Sequence, residues 1–417
     1  MEAFISFLEN HFMPIAGKIA EQRHLKSIRD GVVSTMPLLL LGSLILIIAY
    51  PPISSLEALV RPYVDDLSKI VNATFGIIGL VASFSIAYSL AGSYKIDQLA
   101  AGILSLSAFL IVVPITEDGG ISLTWTGSRG LFVAMIIAII TVEIQRKFVE
   151  KNLIIRMPEG VPPSVARSFA ALIPGFMSLL LVWSVNTLLL KTLNLSLPEF
   201  INKVVAVPLM NIGGSLPAML LAVFVVQLLW TVGIHGAAVV EGILGPLWIA
   251  FAEQNAAARA AGEAVLPNII SMQFFQIFVQ STGSGVTLPL VLLMLFAARS
   301  KQLKAVGKAA LGPGIFNINE PVTFGLPIVM NPIMIIPFIL APLAVTLITY
   351  FAMAINLVAR PYAIIPWTTP MILSGFLTTG DWKAGVLQII NVLVAGAIYY
   401  PFLKLWDRNK LEEERDI

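Results

Sequence analysis

Long apolar windows without a charged residue recur along the chain. In the first half they cover residues 31–56, 70–94, 98–116, 130–142 and 168–190. A helix needs about 20 mostly apolar residues to cross the hydrocarbon core of a bilayer, so these windows predict five membrane spans. The fourth window is short, but an uncharged and semi-polar stretch precedes it.

The second half of the sequence predicts five further spans. Two of them fall between residues 217 and 252, and the others fall at residues 270–297, 331–358 and 383–403. The pattern therefore predicts an all-α polytopic membrane protein with about ten transmembrane helices.

Basic residues cluster at the ends of the predicted spans. The clusters are Lys18, Arg23, Lys26 and Arg29; Arg146, Lys147, Lys151, Arg156 and Arg167; Arg299, Lys301, Lys304 and Lys308; and Lys404, Arg408, Lys410 and Arg415. Because Lys and Arg accumulate in cytoplasmic loops, all four clusters and both termini are predicted to be cytoplasmic. Two cytoplasmic termini require an even number of crossings, which a total of ten satisfies.

Two apolar stretches, residues 312–330 and 361–380, are left without a crossing, and both are rich in Gly and Pro. A broken backbone cannot face lipid, because its unpaired N–H and C=O groups would meet hydrocarbon. Transporters build substrate sites from such segments, so we interpret both as re-entrant hairpins that pack in protein or line a wet cavity. An apolar cytoplasmic loop is the alternative.

The two halves differ in their polar content. Residues 1–200 hold the cleaner spans, whereas residues 217–417 carry the helix breakers and most of the amides in apolar surroundings. We therefore predict a scaffold half (1–200) and a transport half (217–417). Between them, residues 201–216 predict an extracytoplasmic linker or an interfacial helix.

Composition narrows the classes of function. Apolar residues make up 57% of the chain and charged residues 12%, which excludes an ordinary soluble enzyme. A net charge of +2 without a basic run argues against a nucleic-acid partner. The sequence contains no Cys, which excludes thiolate metal sites, Cys nucleophiles and a phosphocysteine on this chain.

Glu320 is the first candidate functional residue. It follows Asn317 and Asn319 in the first broken stretch, and Pro321 is expected to keep it out of the α conformation. An ionisable group near the bilayer centre costs at least about 2.5–3.5 kcal/mol, so it needs a reason to be there. A carboxylate beside two amides can hold vicinal hydroxyls or take a proton from a hydroxyl nucleophile. A structural carboxylate that bonds backbone donors is the alternative.

His235 is the second candidate, and it lies between Gly233 and Gly236 in an apolar window. The two glycines permit a helix break, so that the imidazole can face a cavity. No metal site is expected, because no second His or Cys is near, and a structural core histidine is the alternative. Glu241 is a weaker candidate that would pair with an Asn or a Lys, or mark a helix end.

Aromatic and hydroxyl groups complete the candidate site. Trp230 and Trp367 are suited to stack on the apolar face of a pyranose, although interfacial anchoring is the alternative for each. Thr282 lies in the polar, Gly-containing stretch 280–285. That stretch is either the tip of a re-entrant hairpin or a helix-packing face.

Three stretches carry a resemblance to a known family. Gly-Ile-His-Gly at 233–236, Gly-Ile-Phe-Asn-Ile-Asn-Glu-Pro at 314–321 and Pro-Trp-Thr-Thr-Pro at 366–370 resemble enzyme IIC, the membrane subunit of the bacterial phosphoenolpyruvate-dependent sugar phosphotransferase system. The lactose/cellobiose/diacetylchitobiose family is the most similar branch. The resemblance covers essentially the whole chain, and the Asn-Ile-Asn-Glu-Pro signature is its most specific part.

The resemblance implies a homodimer in the bacterial cytoplasmic membrane, with two re-entrant hairpins in each ten-span protomer. The first half would form the dimer interface, and the second half would carry the sugar between Glu320 and His235 and move in an elevator-like shift. The C6 hydroxyl of the sugar would then receive a phosphoryl group from the phosphocysteine of a cytoplasmic enzyme IIB, which enzyme IIA supplies. No metal or cofactor is implied.

The absence of Cys and the short segment after the last span predict that no IIB domain is fused to this chain. A separate-subunit cellobiose or diacetylchitobiose system is therefore expected. In it, Glu320 would hold hydroxyls and accept the C6 proton, while His235 would add a second bond and neutralise the phosphoryl group. Asn317 and Asn319 would shape the break and reach the sugar.

Two rival functions belong to other classes. In a proton-coupled secondary transporter, Glu320 and His235 would form a proton relay and the sugar would arrive unmodified. A membrane enzyme or receptor for a lipid-linked glycan would bind its ligand without moving it.

Overall fold

Helices account for almost all regular structure in the computed structural model, which describes residues 18, 22–51, 54–116, 118–158, 160–326, 328–329 and 331–415. Both chain termini and Met330, the end of the first predicted broken stretch, lie outside these residues. Within them, a single antiparallel bridge pairs Ile115 with Ile121.

The described residues form twenty α-helices. They are α1 (Arg23–Val33), α2 (Met36–Ala49), α3 (Ser54–Val60), α4 (Val64–Phe75), α5 (Ile78–Tyr94), α6 (Gln98–Val112), α7 (Leu123–Thr126), α8 (Leu131–Glu150), α9 (Pro163–Ala170), α10 (Leu172–Leu193), α11 (Leu197–Ile201), α12 (Val207–Gly213), α13 (Leu216–Thr231), α14 (Gly236–Ala260), α15 (Leu288–Phe296), α16 (Lys301–Ile315), α17 (Glu320–Gly325), α18 (Pro332–Ala354), α19 (Leu373–Thr379) and α20 (Trp382–Arg415). Short 3-10 turns cover Arg61–Tyr63 and Ser128–Gly130, and π-helical turns cover Asn202–Ala206 and Phe274–Val279.

Six helical segments of the described chain are long and apolar enough to cross a membrane. They are Arg23–Ala49, Ser55–Tyr94, Val165–Leu193, Gly236–Ala260, Pro332–Ala354 and Trp382–Arg415, and the pair Leu197–Gly213 and Leu216–Thr231, bent by 69°, raises the number to seven. The all-helical membrane fold is therefore confirmed, whereas the total of ten spans is not. One reason is that α6 has only 15 residues.

Unit A is one of two compact units and comprises Ile19–Ile45 and Val64–Ile212. Its core lies where α6, α8 and α10 pack around the ring of Phe109. Small side chains let the helices approach, and the hydroxyls of Ser83 and Ser105 lie 2.8 Å apart between α5 and α6. In a membrane the hydrophobic effect does not drive helices together, because the lipid is equally apolar. Packing and interhelical hydrogen bonds of this kind hold the helices together instead.

Unit B includes Leu46–Tyr63 and the chain from Gly213 onward. A segment from the first half of the sequence thus packs with the second half. Tyr50 fastens this segment, because its hydroxyl donates to the carbonyl of Ala260 at 3.0 Å and its ring lies 5.9 Å from the Arg259 guanidinium carbon. Within the predicted linker at 201–216, a π-helical turn covers Asn202–Ala206 and α12 covers Val207–Gly213.

Unit B contains several broken segments. The predicted span at 270–297 is not one helix, because a turn at 280–287 separates the π-helical turn from α15. Residues 361–372 are irregular, as predicted. The prediction that the backbone is already broken at 312–315 is wrong, since α16 continues through Pro313 to Ile315. Tertiary packing overrides the low helix propensity there, and Gly314 lies against Leu288.

Candidate functional site

A tight helical hairpin in unit B carries His235. The helix α13 ends at Thr231, Gly233 follows with a left-handed φ of 80°, and α14 begins directly after His235. The His235 Nδ1 accepts the backbone N–H of Ala238 at 3.1 Å and so caps α14. This bond fixes Nδ1 as an acceptor, which leaves Nε2 of the exposed imidazole free to donate to a ligand.

Trp230 joins this hairpin to the helix that carries Glu320. Its ring centroid lies 4.6 Å from that of His235 and 6.4 Å from that of Phe324. Phe324 is one turn along α17 from Glu320, the first residue of that helix. The Trp230 ring therefore contacts both the imidazole of His235 and the helix that begins at Glu320.

Glu320 itself is half-buried. The prediction that Pro321 would exclude it from a helix is wrong, because Glu320 and Pro321 form the first two positions of α17. Proline is tolerated there, since the N–H it lacks would have no intrahelical acceptor. The Glu320 carboxylate has no hydrogen-bond or ion-pair partner among the residues that the structure describes, so all of its acceptor sites remain for a ligand.

Asn317 ties three broken segments together. It has a left-handed φ of 66°, and its Oδ1 accepts the backbone N–H of Thr282 at 2.7 Å. Its Nδ2 donates to the carbonyls of Trp367 at 2.5 Å and Thr369 at 3.0 Å. These bonds use both amide hydrogens of Asn317 and one of the two lone pairs of Oδ1, so in this structure the side chain holds the three segments in place.

The turn at 280–287 approaches the signature segment closely. Gly283 has a φ of 93°, and a Cβ there would lie 2.7 Å from Cβ of Asn319. The Asn319 Nδ2 donates to Thr323 Oγ1 at 2.9 Å, which occupies one amide hydrogen within α17. Thr282 has no exposed surface, and its hydroxyl accepts the N–H of Leu288 at 3.3 Å.

Accessibility separates the seven predicted site residues into two groups. His235 is exposed, Trp367 is 49% exposed, and Glu320 is half-buried. The buried members are Trp230, Asn317, Asn319 and Thr282. In this structure the first group presents surface to a ligand, and the second group has almost none.

Buried polar atoms without a partner lie next to these residues. Within the described part of the chain, the hydroxyls of Ser281 and Ser284, Nε1 of Trp230 and Nε2 of Gln280 have none. Native proteins satisfy nearly all such groups, so unpaired ones beside a site indicate room for water or ligand hydroxyls. No cluster of three or more His, Asp or Glu suited to a metal ion occurs among the described residues.

Gln388 is a structural support that sequence reasoning missed. It is fully buried on α20, where its Oε1 accepts the N–H groups of Ile372 and Gly375, and its Nε2 donates to the Ile277 carbonyl and to Ser374. In the sequence, Gln388 is marked only as an amide side chain within an apolar window. Glu241, the weaker candidate, lies within α14 and accepts from Gln276 at 3.2 Å, not from an Asn or a Lys.

Comparisons with known proteins agree on one family. The sequence profile described as "Phosphotransferase system, EIIC" matches residues 29–342. The cellobiose-specific EIIC component of Geobacillus stearothermophilus is 48% identical over 100% of this chain and 97% of its own length. The lichenan permease IIC component of Bacillus subtilis (strain 168) is 47% identical over 98% of this chain and 95% of its own length.

A solved structure is similar to this protein over almost the whole chain. The crystal structure of the transporter ChbC, the IIC component from the N,N'-diacetylchitobiose-specific phosphotransferase system, matches with a TM-score of 0.93 and 47% identity. The match covers 98% of this chain and 99% of that chain. Fold and sequence therefore indicate the same relatives.

Proposed function

Because the chain belongs to the EIIC family of the phosphotransferase system, we propose that it carries a disaccharide of the cellobiose or diacetylchitobiose type and presents its C6 hydroxyl for phosphorylation. The phosphoryl donor is a separate enzyme IIB, which enzyme IIA recharges. The protein acts in the bacterial cytoplasmic membrane as a homodimer with both termini cytoplasmic, and unit B moves the sugar in an elevator-like step.

One observation carries this proposal. Glu320 keeps its carboxylate unpaired among the described residues, while Trp230 links its helix to the exposed His235. A carboxylate accepts several hydroxyl hydrogen bonds at once, and an aromatic ring such as that of Trp367 packs against the apolar face of a pyranose. The arrangement suits a ligand that offers both hydroxyl groups and an apolar ring face, as a sugar does.

In the proposed reaction, the C6 oxygen attacks the phosphorus of the phosphocysteine. The O–P bond forms while the S–P bond breaks, and the thiolate remains on enzyme IIB. Glu320 holds the hydroxyl and accepts its proton, as a general base must lie within hydrogen-bond reach of that proton. His235, through Nε2, donates to the sugar or to the charged phosphoryl oxygens.

The Glu320→Gln variant tests this assignment. Losing the charged hydrogen-bond acceptor costs about 1–3 kcal/mol, which corresponds to roughly a five- to 150-fold rise in the Kd for the sugar. We also expect sugar-phosphate formation to be lost, since the amide accepts no proton. Calorimetric titration with cellobiose and diacetylchitobiose, followed by uptake into vesicles supplied with phosphoenolpyruvate and the phosphoryl-transfer proteins, measures both effects.

Glu263→Gln, the same change at an exposed position of unit B, is the control and should behave as wild type. Wild-type affinity and phosphorylation in the Glu320→Gln variant would refute the assignment. Free sugar that accumulates with a proton gradient, without a phosphate ester, would instead establish a proton-coupled transporter.

A further inference from the structure

The helix α16 exposes one face that carries unpaired positive charge. Lys301, Lys304 and Lys308 are exposed and follow a spacing of three and four residues, which places them along one side of a helix. Lys301 lies near Glu414. Lys304 and Lys308 form no ion pair with any residue that the structure describes.

The rest of α16 is held firmly. Its Gly307 faces Met294 and Leu295 of α15, and a Cβ there would meet their side chains at 3.1–3.3 Å. The start of α16 is fixed by α20, because the Asp407 carboxylate accepts the N–H of Ser300 at 2.9 Å. The bonded start and the packed face leave the lysine side of α16 as the surface on which another molecule can dock.

The exposed face continues from the lysines into the candidate site. A Cβ at Gly312 would have no atom within 4 Å, so the surface is open there. Beyond it, Ile315 and Phe316 are 41% and 51% exposed directly before Asn317. Because α16 rises 1.5 Å per residue, Lys308 lies only about 10 Å along the helix from Ile315.

We propose that this α16 face, defined by Lys301, Lys304, Lys308 and Gly312, is the docking surface for the protein that delivers the phosphoryl group. The inference rests on the proposed function and adds where the partner binds. A phosphoryl group carries about −1.5 to −2 charges near neutral pH, and the two lysines without an ion pair among the described residues, Lys304 and Lys308, attract it. The apolar end at Ile315 and Phe316 supplies the water-excluding contact that a specific interface needs.

The test is the double variant Lys304→Glu and Lys308→Glu in proteoliposomes. Initial rates of sugar-phosphate formation are measured against the concentration of phosphorylated enzyme IIB. We expect the KM for that partner to rise roughly tenfold or more at about 0.05 M salt, with kcat and the sugar Kd unchanged. The effect should shrink at about 0.5 M salt, where the Debye length falls to a few ångströms.

A matched control reverses two exposed lysines at the C-terminal end of α8 in unit A, Lys147→Glu within the helix and Lys151→Glu directly after it, and should leave the partner KM unchanged. A steric pair at Gly312 gives an independent readout. The bulky Gly312→Trp side chain should raise the partner KM as well, whereas Gly312→Ala should not.

A wild-type partner KM in both the lysine variant and Gly312→Trp would overturn the docking proposal. An equal rise in the α8 control would overturn it too, because the effect would then be one of net charge. Failure of the wild-type protein to phosphorylate sugar in this assay is a different result, which contradicts the proposed function itself.

Discussion

Asn317 shows how one side chain can hold a site together. Its amide joins the turn at Thr282 to the chain at Trp367 and Thr369. In Asn317→Asp the carboxylate cannot donate to those two carbonyls, and leaving buried acceptors unpaired costs about 1–3 kcal/mol. We expect a lower apparent unfolding temperature in detergent and weaker sugar binding in titration.

The same substitution at Asn194, an exposed asparagine that follows α10 outside the predicted spans and also has a left-handed φ (53°), controls for the added charge and should alter neither quantity. An Asn317→Asp protein with wild-type thermal stability and sugar affinity would mean that the three bonds do not hold the segments in place.

The sequence alone identifies ionisable side chains that lie within apolar windows. Glu320 and His235 were identified in this way, and the Trp230 ring contacts both His235 and the helix that begins at Glu320. That the two residues share one sugar site stays a prediction. The sequence predicted that Asn317 shapes the break, but it predicted neither the partners of Asn317 nor any role for Gln388. An amide shows in the sequence that it needs partners but not which carbonyls or N–H groups fold against it.

At the scale of elements, some glycines are required because a side chain would not fit the backbone conformation or the space, whereas others could be replaced. Gly283 has a left-handed φ and no room for a Cβ beside Asn319, whereas Gly312 lies in α16 with open space around it. In Gly283→Ala the left-handed conformation alone costs roughly 1–2 kcal/mol. We expect reduced thermal stability there and unchanged or slightly higher stability in Gly312→Ala, measured by thermal unfolding.

Equal stability of the two alanine variants would contradict this assignment of the turn at 280–287. Sugar titration of the same pair adds a second reading, since only Gly283→Ala disturbs the contact with Asn319.

A break between helices was predictable from glycine where no tertiary packing kept the chain helical. The turn before α14 at His235 follows from Gly233 and Gly236. The break expected at Gly312 falls later, at 316–319, because the last turn of α16 is held against α15 and keeps its helical bonds. Local propensity is a weak guide where tertiary contacts decide.

At the scale of the whole molecule, the charge pattern predicts which segments share one side of the membrane. Lys151 and Arg408 belong to basic clusters, whereas Asp118 follows the third predicted crossing and should face outward. Because the chain has no Cys, Lys151→Cys and Arg408→Cys should react with an impermeant maleimide only from the cytoplasmic side. We expect Asp118→Cys to react only from outside.

The unaltered cysteine-free protein provides the background for this labelling. If Asp118→Cys and Lys151→Cys were modified from the same side, the helix α8 between them would not cross the bilayer. The predicted orientation would then be wrong for unit A.

The packing of the early segment Leu46–Tyr63 within unit B has a consequence for biosynthesis. This segment leaves the ribosome about 150 residues before Gly213, where the remainder of its unit begins. At a translation rate of about 5–20 residues per second, roughly 8–30 s pass between the synthesis of this segment and the synthesis of its first packing partners. Translation order and packing order are therefore opposed, because Tyr50 is synthesised long before Arg259 and Ala260, the residues that its side chain contacts.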